Sequence, residues 1–201
     1  MKKLAVLIST VGKGSNLQAI IDAIEADKLN AEIAIVVSDS REALGLKRAK
    51  KHSLKVAICP KKEDLLPILE RIKPDYIVLA GWKQIVSDEV IAKFQNLILN
   101  LHPGLVPQTI MGHVKNPDGT LALWNRGLLA EKAIQNFLEK KATYAGSTVH
   151  FLSDKFDFGK VIKRGFVKVK KGDTVKTLYT RLKKIEHKIY IESLQKLCQP
   201  E

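Results

Sequence analysis

Through the first half of the chain, short runs of aliphatic and β-branched residues alternate with stretches where apolar residues recur every three or four positions. The runs predict strands over 4–9, 32–37, 55–59, 76–80 and 97–101. The periodic stretches predict helices over 16–25, 41–52, 62–72 and 88–94. This alternation marks βαβ units around a parallel sheet, and continuous apolar triplets such as Ile77-Val78-Leu79 suit strands covered on both faces. Right-handed crossovers then give a Rossmann-like α/β fold, a mostly parallel central sheet flanked by helices. Ligands of such sheets bind beyond the carboxyl ends of the strands, which directs attention to the segments after Ser9, Ala80 and Leu101.

The second half reads differently. Residues 103–126 are rich in Gly, Pro, Asn and His without periodicity, so they are expected to form a long functional loop or lid. A helix over 128–141, strands over 147–152 and 161–169 as an antiparallel addition, and a long C-terminal helix over 174–197 follow. In that last helix Leu178, Leu182, Ile185, Ile189 and Tyr190 make an apolar stripe, with Lys176, Lys183, Lys184 and Lys188 on much of the other side. With no repeat, linker or low-complexity segment, 1–201 is expected to be a single domain.

Composition narrows the class. A chain of 201 residues that is 45% hydrophobic is long enough to bury ~70% of its unfolded surface, so it needs no disulfide or metal to fold. The longest strictly apolar run near the N-terminus has five residues, Leu4 to Ile8. A membrane span needs about 20 and a signal-peptide core about 7 to 15, so neither is expected. Two cysteines, Cys59 and Cys198, form no CxxC pair; they point to a reducing compartment, the cytoplasm, and to no zinc site. The net charge of +13 invites nucleic acid, a phosphorylated substrate or a lysine-rich surface.

Three segments carry candidate chemistry. Ser9-Thr10-Val11-Gly12-Lys13-Gly14-Ser15-Asn16 joins the first strand to the first helix, where backbone N–H groups freed by small residues hold phosphate. It lacks the spacing of a Walker A loop, and Leu17 stands where a dinucleotide fingerprint needs Gly or Ala. Asp39 keeps a nicotinamide reading open, and a plain turn capped by Ser15 or Asn16 is the structural alternative. Asn100 and His102 share one face at the end of the fifth strand: an amide to donate to an oxyanion beside an imidazole to move a proton. A lone histidine satisfied by backbone is the competing account. Finally, the strand through His150 leads into a turn bearing Asp154 and Asp157. A carboxylate there would stabilise a charged His102, unless both aspartates are ordinary turn formers.

Taken in order, these segments resemble the glycinamide ribonucleotide formyltransferase family, within the 10-formyltetrahydrofolate-dependent formyltransferases. The likeness rests on Gly14-Ser15-Asn16-Leu17-Gln18-Ala19-Ile20, Gly45-Leu46-Lys47-Arg48-Ala49, Leu79-Ala80-Gly81, Asn100-Leu101-His102-Pro103 with Leu105 and Pro107, Thr148-Val149-His150-Phe151, and Glu186-His187-Lys188-Ile189-Tyr190. The resemblance implies a catalytic Asn100, His102 and Asp157, and a phosphate held at Gly14, Ser15, Asn16 and Leu17, with Glu186 seating the glycinamide end. It implies 10-formyltetrahydrofolate as co-substrate, with no metal, lying against Lys83, Gln84, Ile85, Val86 and Asn100 and the turn at Ser153 and Asp154, with Lys62 near its glutamate tail. On that reading 1–101 is a phosphate-binding half, and 102–201 carries the catalytic loop, a lid insertion and the folate side.

The chain also departs from the family. Where the family has Ser-Leu-Leu-Pro after His-Pro, followed by lysine and an aromatic, this chain has Gly104-Leu105-Val106-Pro107-Gln108-Thr109-Ile110-Met111-Gly112. Trp82-Lys83-Gln84 replaces aromatic-Met-Arg, Lys183 replaces an uncharged residue, and the insertion from Val114 through Gly127 has no counterpart. These changes surround the pockets and leave the three catalytic candidates intact. Alternatives are another amine acceptor such as an amino sugar nucleotide, a formyltetrahydrofolate hydrolase, and, in a different class, a basic nucleic-acid-binding protein. The hydrolase is expected to carry an extra N-terminal domain, and 6% aromatic residues without a recognition motif argue against nucleic acid. The expected partners are therefore a small phosphorylated amine and a folate, with no membrane, for a monomer or weak homodimer.

Overall fold

The computed structural model describes residues 1–10 and 12–199. Its elements in chain order are β1 (Lys2–Ile8), α1 (Ser15–Glu25), β2 (Ala31–Ser38), α2 (Gly45–Lys51), β3 (Val56–Ile58), α3 (Leu65–Ile72), β4 (Tyr76–Leu79), α4 (Asp88–Lys93), β5 (Ile98–His102), α5 (Ala130–Glu139), β6 (Tyr144–Phe151), β7 (Val161–Lys168) and α6 (Val175–Leu197). The strands hydrogen-bond in the order β3-β2-β1-β4-β5-β6-β7. β1 runs parallel to β2 and β4, and β2 to β3, while β6 and β7 are antiparallel. This is the mostly parallel Rossmann-like sheet, with an antiparallel addition and a long C-terminal helix, that the alternation predicts.

The chain divides into two compact units, Met1–Leu99 with the residues from Leu194 onward, and Asn100–Ser193. In the first, Leu4, Ala5, Val6 and Leu7 of β1 are fully buried, as a central strand requires, and so are Leu17 and Ile20 of α1. In the second, Leu105, Ile134, Phe137, Ala145, Leu178 and Leu182 form one cluster. Leu178 and Leu182, with Ile185 packed against the cluster, are thus the stripe residues that hold α6 to it.

Element ends shift for local reasons. Residues 41–44 turn rather than join α2, because Ser38 and Ser40 hydroxyls bond to nearby backbone at 2.8 to 3.3 Å and compete with a helical start. A short 3₁₀ turn, Lys62–Asp64, precedes α3, since Pro67 has no N–H to give back to that turn. α1 is capped not by a Ser15 or Asn16 side chain but by Gly14, at φ 69° with no side-chain bond. The loop over 103–126 is irregular as expected, apart from a bridge of Lys115 with Leu121 around the turn at Asn116, and the helix expected from 128 starts at Ala130. Lys183 does not stand with the exposed lysines of α6: it is partly buried, its Nζ 2.8 Å from Glu186 Oε2. No helix among the described residues is long and apolar enough to cross a membrane.

Candidate functional site

β5 delivers Asn100 and His102 to one face of its last turn, and the turn after β6 brings Asp157 to the same place. His102 is 2% exposed. Its Nδ1 lies 3.5 Å from Asp157 Oδ1, and its Nε2 lies 2.7 Å from the main-chain oxygen of Trp124. A carbonyl only accepts, so Nε2 carries a hydrogen and donates it. Asp157, at φ 49°, receives the Gly127 N–H on Oδ2 at 2.7 Å. Burial pushes its carboxyl up, but the facing His102 and the Gly127 N–H outweigh burial and hold it below the usual carboxylate range.

His150 orders the amide. Its Nδ1 is 2.9 Å from the Phe151 main-chain oxygen and must donate there, so Nε2 accepts from Asn100 Nδ2 at 3.3 Å. Asn100 is thereby turned with its NH₂ toward His150, and one of the two N–H bonds remains for another acceptor. Burial pushes the His150 imidazole down to about 4, despite the Phe151 carbonyl, so the ring is neutral near pH 7. The competing expectations divide accordingly: His102 has a backbone partner and also a carboxylate, and His150 is the satisfied histidine behind the centre.

The exit of β5 is clamped. Thr148 Oγ1 accepts the Val106 N–H at 3.0 Å and donates to the Gly104 oxygen at 2.7 Å, while Arg164 donates twice to the Val106 oxygen at 3.0 and 2.6 Å. Ser153 closes the turn carrying Asp157 by donating to the Phe158 oxygen at 2.8 Å, and Asp154 is exposed beside it. Glu186, 3% exposed, accepts from Ser147 Oγ at 2.9 Å on Oε1 and faces Lys183 on Oε2. Burial pushes the Lys183 ammonium down, and Glu186 and Tyr179 together outweigh it and raise it overall.

In the first unit the loop before α1 presents donors from the backbone. Gln18 N–H takes the Gly14 oxygen at 3.0 Å, so the N–H groups of Ser15, Asn16 and Leu17 precede the helical ladder. The Leu17 side chain is fully buried, which leaves its N–H as what it offers. Asn16 Oδ1 is buried without a hydrogen-bond partner. Gly14 is favoured by geometry: a Cβ there would lie 2.7 Å from the Gly45 Cα, on a left-handed backbone. Arg48 braces the loop through the Lys13 oxygen at 3.0 Å and Gln18 Oε1 at 2.9 Å. Thr10 donates to Asp39 Oδ1 from its N–H and its hydroxyl at 3.1 and 3.2 Å, and Val11 lies outside the described residues.

Further along the same unit, Lys83 N–H donates to Ser9 Oγ at 2.8 Å, and Gln84 donates to the Cys59 and Pro60 oxygens at 3.3 and 2.9 Å. Ile85 is 71% exposed, Val86 is buried, and Lys62 is exposed at the 3₁₀ turn. Among the described residues no group of three or more His, Cys, Asp or Glu is placed to hold a metal ion.

Sequence reasoning missed Trp124, Arg126 and Gly127, which lie in the insertion that no motif explains. Trp124 Nε1 donates to the Asp157 main-chain oxygen and Arg126 Nε to the Phe156 oxygen, both at 3.0 Å. The Arg126 guanidinium sits 5.1 Å over the Trp124 ring. A lone tryptophan in a polar, aperiodic loop was the available signal.

Comparison with known proteins bears on this geometry. The formyl transferase family matches residues 2–194. The chain is 28% identical to the chloroplastic phosphoribosylglycinamide formyltransferase of Arabidopsis thaliana, over 98% of this chain and 66% of that protein. It is 32% identical to the phosphoribosylglycinamide formyltransferase of Haemophilus influenzae, over 94% of this chain and 84% of that one. The crystal structure of glycinamide ribonucleotide transformylase 1 from Symbiobacterium toebii superposes with a TM-score of 0.83 at 32% identity, covering 98% of this chain and 88% of that chain. The chain spans just under two thirds of the length of the plant relative.

Proposed function

The chain belongs to the formyl transferase family, and from there we propose that it moves a formyl group from 10-formyltetrahydrofolate to the primary amine of glycinamide ribonucleotide. The observation that carries this reading is the buried His102–Asp157 pair beside an asparagine whose amide is oriented by a neutral histidine. The amine nitrogen attacks the formyl carbon, a C–N bond forms, and the carbonyl π pair moves to oxygen. Asn100 donates its remaining Nδ2–H to that oxyanion, and His102 donates a ring hydrogen to it. Asp157 balances the charge on the ring, and the attacking nitrogen gives its proton to a solvent water, which returns one to the folate N10. Collapse of the intermediate breaks the bond to the folate N10, which takes up a proton as it leaves.

The remaining roles follow residue by residue. The N–H groups of Ser15, Asn16 and Leu17 take the substrate phosphate, with Gly14 allowing the loop its shape. Glu186 accepts from the glycinamide end. In the first unit Lys83, Gln84, Ile85 and Val86 are assigned to the folate, Ile85 offering apolar surface to a flat ring, and in the second unit Ser153 and Asp154 carry the same assignment on their own. Lys62 attracts the anionic tail. Unpaired Cys59 and Cys198 fit a reducing compartment, and we place the protein in the cytoplasm, as a monomer or weak homodimer.

The test is an acceptor panel: purified protein with 10-formyl folate and glycinamide ribonucleotide, an amino sugar nucleotide, or no acceptor, followed by deformylation of the folate. Turnover that requires glycinamide ribonucleotide is expected. Equal turnover without acceptor would make the protein a hydrolase, and turnover only with the sugar nucleotide would move the substrate.

A further inference from the structure

The segment over 123–127 of the unexplained insertion crosses directly over the centre, and its main chain is fixed from both sides. Leu105 N–H donates to the Leu123 oxygen at 2.9 Å. Asn125, 7% exposed and at φ 57°, donates to the Pro103 oxygen at 3.0 Å and accepts from Asn136 at 2.8 Å. Between these ties the Trp124 carbonyl meets His102 Nε2. Gly104 makes that approach possible: a Cβ on residue 104 would overlap the Trp124 oxygen and crowd His102 Nε2 at 3.0 Å. The two contacts of the ring are therefore unequal. The Nε2 contact, at 2.7 Å, is a short hydrogen bond to a fixed backbone atom. The Nδ1 contact, at 3.5 Å, is a longer approach to a carboxylate that is 16% exposed.

We propose that Trp124 is the positioning residue of this centre: its main-chain carbonyl anchors the Nε2–H of His102, its indole N–H anchors the main chain of Asp157, and Nδ1 is the nitrogen that acts on the substrate. Which ring nitrogen works is set by the hydrogen bond that the other one makes. With Nε2–H committed, the ring keeps one orientation through a reaction cycle, and only the Nδ1 side opens to a reacting oxygen. The indole bond at 3.0 Å and the Gly127 N–H on Oδ2 hold Asp157 on that same side. The assignment of Nδ1 to chemistry rests on the formyl-transfer reading, whereas the anchoring of Nε2 does not.

Two variants and one spectrum decide it. In ¹⁵N-labelled wild-type protein without substrate, the His102 ring is expected to show a protonated, slowly exchanging Nε2 that is hydrogen-bonded to carbonyl. Gly104→Ala is expected to displace the Trp124 oxygen, shift that Nε2 signal and lower kcat by about tenfold to a hundredfold with KM nearly unchanged. Trp124→Phe keeps the carbonyl and the ring packing but loses the indole donor; it should leave Nε2 in place while moving the acid limb of the kcat profile. An unprotonated Nε2 in the wild type, or a folded Gly104→Ala protein with the wild-type ring spectrum, would overturn the anchoring. Wild-type spectra as expected without turnover on any acceptor would uphold the anchoring and sink formyl transfer instead.

Discussion

The loop before α1 presents its donors from the backbone, through a left-handed Gly14, a close pass by Gly45 and three leading N–H groups, with the Arg48 side chain bracing the loop from outside. The centre at the end of β5 instead collects side chains from β5, β6, the following turn and a distant strap: Asn100, His102, His150, Asp157 and the carbonyl of Trp124. A backbone site depends on a few adjacent residues being small. A side-chain site depends on pairs separated by 22 to 55 positions, each oriented by another group. Damage should therefore differ: the loop should lose affinity, and the centre should lose rate.

The widest separation between the two comes from truncating the centre. Asn100→Ala and His102→Ala should each lower kcat by about 10²–10³-fold, because an oxyanion donor is removed where nothing replaces it. The same variants should bind glycinamide ribonucleotide close to normally by calorimetry. Wild-type turnover in either one would remove it from the chemistry.

The second break is in pH. His150 is neutral when folded, with its imidazole pushed down to about 4, whereas the unfolded ring titrates near 6.5. Between these values the unfolded chain holds the extra proton, so stability falls as pH falls, by about 3 kcal/mol in total. Asp157 acts in the same direction but in a lower window, because its folded carboxyl lies below an unfolded value near 4. Urea midpoints for the wild type should therefore drop from pH 6.5 to 4. His150→Gln, which can still accept from Asn100 and donate to the Phe151 oxygen, should flatten that window and leave the lower one. An equal drop in both proteins would assign the slope elsewhere.

The same contrast explains what could be read in advance. Leu4 to Ile8 announced a buried strand because burial on two faces is a local composition, and the loop before α1 was legible because Gly14 to Leu17 are neighbours in sequence. Asn100 and His102 were visible as a pair through their spacing on one strand. That Asp157 reaches His102, and that His150 orients Asn100, depends on strand order, which no local pattern contains. Gly104 could be seen only as a departure from serine. Its reason is the Trp124 carbonyl, 20 residues away in a loop without periodicity. The start of α2 was misjudged because the Ser38 and Ser40 hydroxyls compete for backbone groups that apolar periodicity does not register.

Gly14→Ala tests the other side of the comparison. The methyl group meets the Gly45 Cα at 2.7 Å, and its left-handed backbone costs about 1–2 kcal/mol. KM for glycinamide ribonucleotide should rise about tenfold, equivalent to about 1.4 kcal/mol, with kcat within a few-fold of wild type. A fall in kcat at constant KM would mean that the loop serves chemistry rather than phosphate.

The smallest effect should come from Arg126, at the outer end of the strap. Its guanidinium lies over the Trp124 ring and its Nε donates to the Phe156 oxygen, so it acts on the centre through Trp124, which touches it, and through the chain neighbour of Asp157. A cation over an indole at an exposed position contributes about 0.5–1 kcal/mol. Arg126→Gln should thus lower kcat by about two- to fivefold and leave KM for both substrates unchanged. Adding salt to the wild type should not reproduce that loss, since the oriented Nε bond survives screening that weakens the charge. A rise in KM for the folate without a change in kcat would put Arg126 at the ligand instead. The strap would then be a wall of the binding pocket, and the division between a rate-setting centre and an affinity-setting loop would lose its sharpest edge.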